Sequence, residues 1–383
     1  MSHVVSFSAR NVISRANPRL FVAIHRQIFP SQSVREWLRV RLNLNMKFSS
    51  FLRVGVLTLA ICGFVQAQET PATAASVKKY LLDRLERVQK ASEDFVKNSE
   101  AYAAIVAANG NSVEAAYKAD SKKMDALVGK MQEDYKAMDS FGYETVEGIV
   151  AGVESMADYD IYLDAGVPAS EGPDGVAPVV LDLGNGKKID KQGALFTYII
   201  EPTLWGGEKR WVVPVGDNKT MPKPEVLVAA AKDVNKKIGE LVADAKAWNA
   251  SVNDCFGAMV VMTPTLSDYF EDWKESRYSA EKSGRFQAVS RISDMRGIMS
   301  SCEVMYDAVK SGVAAKDKAL AKSVVSGFDE IQHFLDLIEK REKQGEISAA
   351  EIDELATQAK EKTDKLVPQI EQSAAVSGVK VQS

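Results

Sequence analysis

Apolar residues return at steps of three and four along nearly all of residues 76–376, and that rhythm admits little besides packed α-helices. Val77, Leu81, Leu85, Val88 and Phe95 make one stripe. Val113, Tyr117, Met124, Leu127, Met131, Tyr135 and Met138 make a second, and Val146, Ile149, Val150 and Val153 a third. The same period runs from Val226 to Trp248 through Val234, Ile238, Leu241 and Ala245, then over 289–309, 324–338 and 352–370. A repeat near 3.6 puts each set on one helix face, which must be buried against a neighbour. Gly345 closes one helix, and Ser348 with Glu351 reads as a capping box opening the last. The expected fold class is all-α: two helical, four-helix-bundle-like domains with a small β-hairpin and loop insertion. The domains are placed at 68–222 and 223–376, with a tail at 377–383. The helical rhythm breaks between 159 and 222. There Val179–Leu183, the turn Gly184-Asn185-Gly186 and Lys187–Asp190 read as a hairpin, and "GGEKRWVVPVGDNKTMPKP" reads as a second loop.

The amino terminus belongs to another class of sequence. Residues 1–45 carry seven Arg, no Lys and one acid, Glu36, with no sustained period. They read as an upstream extension that is not native to the protein, the rival reading being an organellar transit peptide. Met46 then opens a basic start (Lys47, Arg53), an apolar run from Val54 to Val65, and small residues at the cleavage positions of Val65-Gln66-Ala67. Residues 46–67 are therefore expected to be a signal peptide cut after Ala67, and the protein periplasmic or otherwise exported. The chain from Gln68 holds 39 basic and 51 acidic side chains, a net charge of −12. That balance argues against nucleic acid as a partner and suits a protein that meets cations. Two cysteines remain after the cut, Cys255 and Cys302. In an oxidising compartment they either pair as a disulfide or stay as buried thiols.

No Gly-rich phosphate loop, haem-attachment motif or His-Glu-x-x-His helix is present, so neither nucleotide nor haem is expected. The one histidine beyond the leader, His333, lies off its helix's apolar stripe and reads as solvated. Metal chemistry would then rest on oxygen ligands, which suit hard cations. Glu144, Glu147, Glu154 and Asp158 fall on one side of a projected helix. They either bind a cation jointly or form a solvated face, and the solvated face is preferred because the apolar residues lie well around the cylinder. Asp160 and Asp164 follow in "ADYDIYLDAG". In the second half, Trp273, Lys274 and Arg277 precede a helix with Arg291 and Asp294 three apart. These form either a polar cleft wall or a charged helix-docking junction.

The segment "GALFTYIIEPTLWG" sets Glu201 inside an apolar run, directly before Pro202. A buried carboxylate there costs several kcal/mol unless paired or metal-bound. Tyr198 and Glu201 share a face if the turn is helical, and Pro202 is expected to end or kink it. "FTYIIEPTLW", "TVEGIVAGVESMADYDIYLDAG", "DYFEDWKESRY" and "AVSRISDM" together resemble the imelysin-like family, which includes periplasmic iron-uptake components of the EfeO and EfeM type. The family signature is Gly-x-His-x-x-Glu followed by Leu-Trp. Here Phe196 replaces its Gly and Tyr198 its His, while Glu201 matches its Glu. The resemblance implies two bundles with a ligand cleft between them, and a cargo of iron or another divalent or trivalent cation. Its partner would be an inner-membrane iron permease or a peroxidase. The implied metal residues are Glu201, Tyr198, Glu147, Asp160 and Asp164, with Trp205, Trp273, Lys274, Arg277, Arg291 and Asp294 in the cleft. A non-catalytic binding protein is expected, because the missing signature His removes a ligand that metallopeptidase chemistry needs. Two rivals stay open: a metallopeptidase, and a partner-binding module that has lost its metal. On the bland alternative Glu201 pairs with Arg291 or Lys274 and only joins the bundles. Mass spectrometry of protein from the native host should find the amino terminus at or near Gln68; a mature chain retaining residues 1–45 would refute the leader assignment.

Overall fold

The computed structural model describes residues 71–216, 218–278 and 284–381. The extension 1–45, the leader 46–67 and its cleavage point lie outside the described residues. A 38-residue helix, α1 (Pro71–Ala108), begins the described chain and buries the first stripe, Val77 through Phe95 and on to Tyr102 and Val106. The second stripe is divided. Asp120 closes α2 (Val113–Ala119) and caps α3 (Ser121–Met138), its side chain accepting from the Lys123 N–H at 3.0 Å. A π-helical turn, Asp139–Tyr143, continues α3 into α4 (Glu144–Val150), and α5 (Ala157–Leu163) follows after a run of turns.

Two hairpins interrupt the helices. The first, β1 (Val180–Gly184) with β2 (Lys187–Asp190), pairs Leu181 with Ile189 and lies where the turn residues predict it. A second π-helical turn, Leu195–Ile200, leads into α6 (Glu201–Trp205). The second loop of the sequence reading is itself a hairpin. There β3 (Val212–Gly216) pairs with β4 (Lys219–Pro222), Val213 opposite Met221. Pro214 and the Gly/Asn-rich turn mask its short strands.

The remaining helices are α7 (Pro224–Ala247), α8 (Val252–Met262), α9 (Tyr269–Arg277), α10 (Arg291–Ala314), α11 (Lys318–Lys343) and α12 (Ala349–Ser377). Gly345 follows α11 with φ +71, as a helix-closing glycine should. Ser348 is the N-cap of α12 but makes no side-chain cap bond, so the capping box is incomplete. Helices α1, α3 and α7 pack together, and α8, α10, α11 and α12 form a second group with α9 on its side. The sequence reading opens the second domain at residue 223, whereas α7 lies along α1 in the first group.

The joint between the groups is α4 against α10, and it is made by glycine. A Cβ on Gly148 would lie 2.1 Å from Ser301 Oγ, and one on Gly297 would lie 2.6 Å from the Glu144 carbonyl oxygen. Only hydrogen at these positions lets the two backbones approach so closely. Replacing Gly297 by Ala should therefore destabilise the fold by about 1–3 kcal/mol in denaturant unfolding. Gly312, on the same helix with nothing within 4 Å of its added Cβ, is the control. There Ala should be neutral or stabilising by up to about 1 kcal/mol, and equal effects at both sites would refute the close-packing account.

Candidate metal centre

Both π-helical turns serve one site. In the first, the Glu144 N–H reaches back five residues to the Asp139 carbonyl; in the second, the Glu201 N–H does the same to Phe196. Such widened turns recur where a helix must re-aim side chains at a functional site. Pro202 sits in the first turn of α6, where its missing N–H costs nothing. It opens a helix instead of ending one, which corrects the sequence reading. With the preceding turn in π form, Tyr198 and Glu201 also go to different places.

A cavity of about 10 Å³ lies between these turns, room for one water-sized occupant. Its carboxyls are Asp139, Glu144, Asp164, Glu201 and Asp294; Thr197, Phe286 and Val289 are among its other walls. Asp139, Glu144 and Asp164 each present an oxygen within 4.8 Å of the other two, a set able to hold one metal ion. Glu147 and Asp160 stand behind them, so seven carboxyls gather here, none more than 7% exposed. Arg291, equally buried, is the guanidinium among them. Its Nη1 is 3.0 Å from Asp294 Oδ2 and 3.7 Å from Glu144 Oε1, and its Nη2 is 3.9 Å from Asp272 Oδ2.

Some oxygens are satisfied within the protein. Tyr143 donates to Asp160 at 2.9 Å, Tyr269 to Glu147 Oε1 at 2.8 Å, and the Thr197 hydroxyl to Asp164. Asp139 Oδ1, Glu144 Oε2, Glu147 Oε2 and Asp294 Oδ1 are buried with no donor among the described residues. Such atoms cost roughly 1–3 kcal/mol each unless a proton or cation meets them. The acidities follow. Burial first, then neighbouring carboxylates, hold Asp139, Glu144 and Asp160 well above the usual carboxylate range. Burial pushes Glu201 up to about 7, against the pull of the strand of amides it accepts from, and it pushes Asp294 up to about 7 against the pull of Arg291. An all-oxygen set of this charge fits a hard cation such as calcium, manganese or ferric iron.

The other residues singled out in the sequence fall in several places. Glu201 lines the cavity, but its partners are backbone amides: Oε2 accepts from the Phe286 N–H, and Oε1 from the Ala288 N–H at 2.8 Å. Neither Arg291 nor Lys274 holds it. The Tyr198 hydroxyl accepts from Arg285 Nη1 at 2.6 Å, away from the cavity wall. Trp205 packs edge-on against Tyr135, and Trp273 is buried with Nε1 donating to Glu342 at 2.7 Å. Lys274 binds Asp353 and Arg277 the Val289 carbonyl, so this region docks α9 on its neighbours. Glu144 and Glu147 are not on a solvated face, because α4 ends at Val150 and is buried nearly all round; Glu154 and Asp158, beyond its end, are exposed. Cys255 and Cys302 are buried thiols not bonded to each other, and burial lifts Cys302 to about 12. Asp139 and Thr197 escaped sequence reasoning. Asp139 sits directly after the stripe residue Met138, and a charged group adjoining a core stripe is the signal that marks it.

A mostly helical protein with a buried carboxylate cavity between two helix groups is thus a candidate cation binder by class. Residues 196–375 match the model of the Imelysin family, a peptidase family by label, and the chain carries an imelysin-family domain over that stretch. No curated protein matches the chain at a significant level. The matched stretch supplies Thr197, Glu201, Arg291 and Asp294, while Asp139, Glu144 and Asp164 precede it.

The shifts of Glu201 and Asp294 set a pH dependence. Both bind their proton more tightly folded (about 7) than at their ordinary 4.5 and 3.8. Their contribution to stability is full below those ordinary values and is lost as pH rises through 7. Protein stripped with a chelator should therefore melt at lower temperature at pH 8 than at pH 5. An unchanged melting temperature across that window would contradict carboxyls buried in this way.

Proposed function

We propose that this is an exported, non-catalytic cation-binding protein that serves the acquisition of iron or another divalent or trivalent cation. Asp139, Glu144 and Asp164 are its ligands. The observation that carries the reading is the charge imbalance: seven buried carboxyls around a single-ion cavity, with Arg291 the buried guanidinium among them. A dication or trication would displace the protons that the metal-free site must hold and would meet the oxygens left without donors. The imelysin-family domain supports the same direction. The leader-like segment at 46–67 supports export, and a membrane permease or a peroxidase is the partner to which such cargo would pass.

The peptidase reading draws less support. It needs a metal-bound water beside an open substrate position, and a cavity of about 10 Å³ gives a peptide carbonyl no room. His333 is exposed on α11 and absent from the cavity wall.

Calorimetry of chelator-stripped protein with Mn²⁺, Ca²⁺, Fe²⁺ and Tb³⁺ tests the reading. Combining Asp139→Asn with Glu144→Gln should weaken binding at least about 100-fold, equivalent to about 2.7 kcal/mol. The same double variant should melt no lower than the parent in chelator, since neutral amides replace carboxyls that the metal-free site already holds protonated. Absence of binding by the parent, or cleavage of peptide substrates in the presence of any of these metals, would overturn the proposal.

A further inference from the structure

We propose that residues 284–290 form a strap closing the cavity and that Glu201 is its latch, a positioning residue that governs how fast a cation enters and leaves. The inference rests on the cation-binding reading above and assigns the signature glutamate a different task from ligation. Glu201 commits one oxygen to the Phe286 N–H and the other to the Ala288 N–H. Phe286 and Val289 are cavity walls, so the segment that Glu201 grips is the one covering the site.

The strap is held against its own backbone preference. Phe286 has φ +55, a left-handed conformation that a bulky residue adopts only when its surroundings impose it. Its ring is pinned under the Arg291 guanidinium, 4.1 Å from the ring centre. Arg285 ties one side of the strap to the Tyr198 hydroxyl, and Arg277 holds the Val289 carbonyl at the other. Gly284 meets Gly207 so closely that a Cβ on either would lie within 2.7 Å of the other's backbone. Among these tethers Glu201 and Arg291 also line the cavity, and Glu201 is the one that grips the strap's main-chain amides. With its amides released, Phe286 can relax towards ordinary φ and uncover the carboxyls. Latching then sets the height of the barrier to exchange, while Asp139, Glu144 and Asp164 set the affinity.

The test replaces Glu201 by Gln, which keeps one acceptor but turns an NH₂ donor towards a strap N–H. Tb³⁺ is the probe, its uptake and its release to excess chelator being followed by luminescence in stopped flow. Entry and release should both quicken by about tenfold or more, as expected for losing one charge-assisted bond, and this rise in both rates, not the dissociation constant, is the signature of the latch. A dissociation constant raised about tenfold or more with an unchanged entry rate would make Glu201 a ligand and end the proposal. Unchanged rates would end it as well. Ala288→Pro removes one strap donor, leaves every carboxyl in place and should reproduce the kinetic change, so it carries the test if Glu201→Gln does not fold. Amide exchange without metal separates this idea from the function it rests on. The Phe286 and Ala288 amides should exchange about tenfold or more faster in Glu201→Gln, with α10 unaffected. Unaltered protection refutes the latch whether or not the parent binds Tb³⁺, and a parent that binds no Tb³⁺ counts against the cation reading alone.

Discussion

Mutual repulsion among buried carboxylates is the constraint on which the rest of the site depends. Burying one ionised carboxylate is already costly, and partners must be supplied in kind. Here Arg291 answers Asp294 and Glu144, while tyrosine and threonine hydroxyls answer Asp160, Glu147 and Asp164. That leaves one oxygen each of Asp139, Glu144 and Asp294, all cavity-lining carboxyls, without a donor among the described residues. A fold pays this cost when the site is used, and the scaffold around it shows how the cost is borne. The two groups of helices are drawn together at Gly148 and Gly297, and that close approach places Glu144 on α4 beside Arg291 and Asp294 on α10.

The division of labour inside the site follows from what each acid touches. Asp139, Glu144 and Asp164 converge on one small volume. Glu201 looks into the same volume yet holds main-chain amides, so its charge is tied to the position of a backbone segment. Tyr198, expected from the sequence to be a ligand, is turned to Arg285. The convergent set of Asp139, Glu144 and Asp164 is oxygen-only, suited to hard cations over the softer ions that imidazole favours.

Much of the helical frame was legible because periodicity is a strong signal. The stripes from Val77 to Phe95 and from Val324 to Ile338 are buried as their spacing requires, and Gly345 ends its helix where expected. The hairpin around Gly184–Gly186 was legible from its turn; the one around Pro214 was not, since a proline and a polar turn look like loop. The site was legible in part. Asp160, Asp164, Arg291 and Asp294 were singled out and do gather; Glu147 was named as a ligand yet, like Glu144, was also placed on a face read as solvated. The error has one cause: an amphipathic argument assumes a helix with a wet face, and α4 has almost none. Asp139 and Thr197 depend on π turns, which no 3.6-residue projection anticipates. The hold of Glu201 on Phe286 and Ala288 was invisible for a different reason, since main-chain partners leave no mark in residue types.

The π turn at Asp139–Tyr143 makes the site depend on how many residues the chain contains there. A π turn has one residue more than the α turn it replaces, and each residue of an α-helix rotates the chain by about 100°. Loss of a single residue from this turn would leave an unbroken α-helix from Ser121 to Val150. The extra residue is taken up inside the turn, so the apolar stripes of α3 and α4 keep the faces that a plain α-helix one residue shorter would give them. What the insertion changes is local: the backbone at Asp139–Tyr143 is spread wider than an α turn allows, and the Asp139 carboxylate is aimed from that widened turn. A chain one residue shorter here would keep its core and lose the aim of that acid.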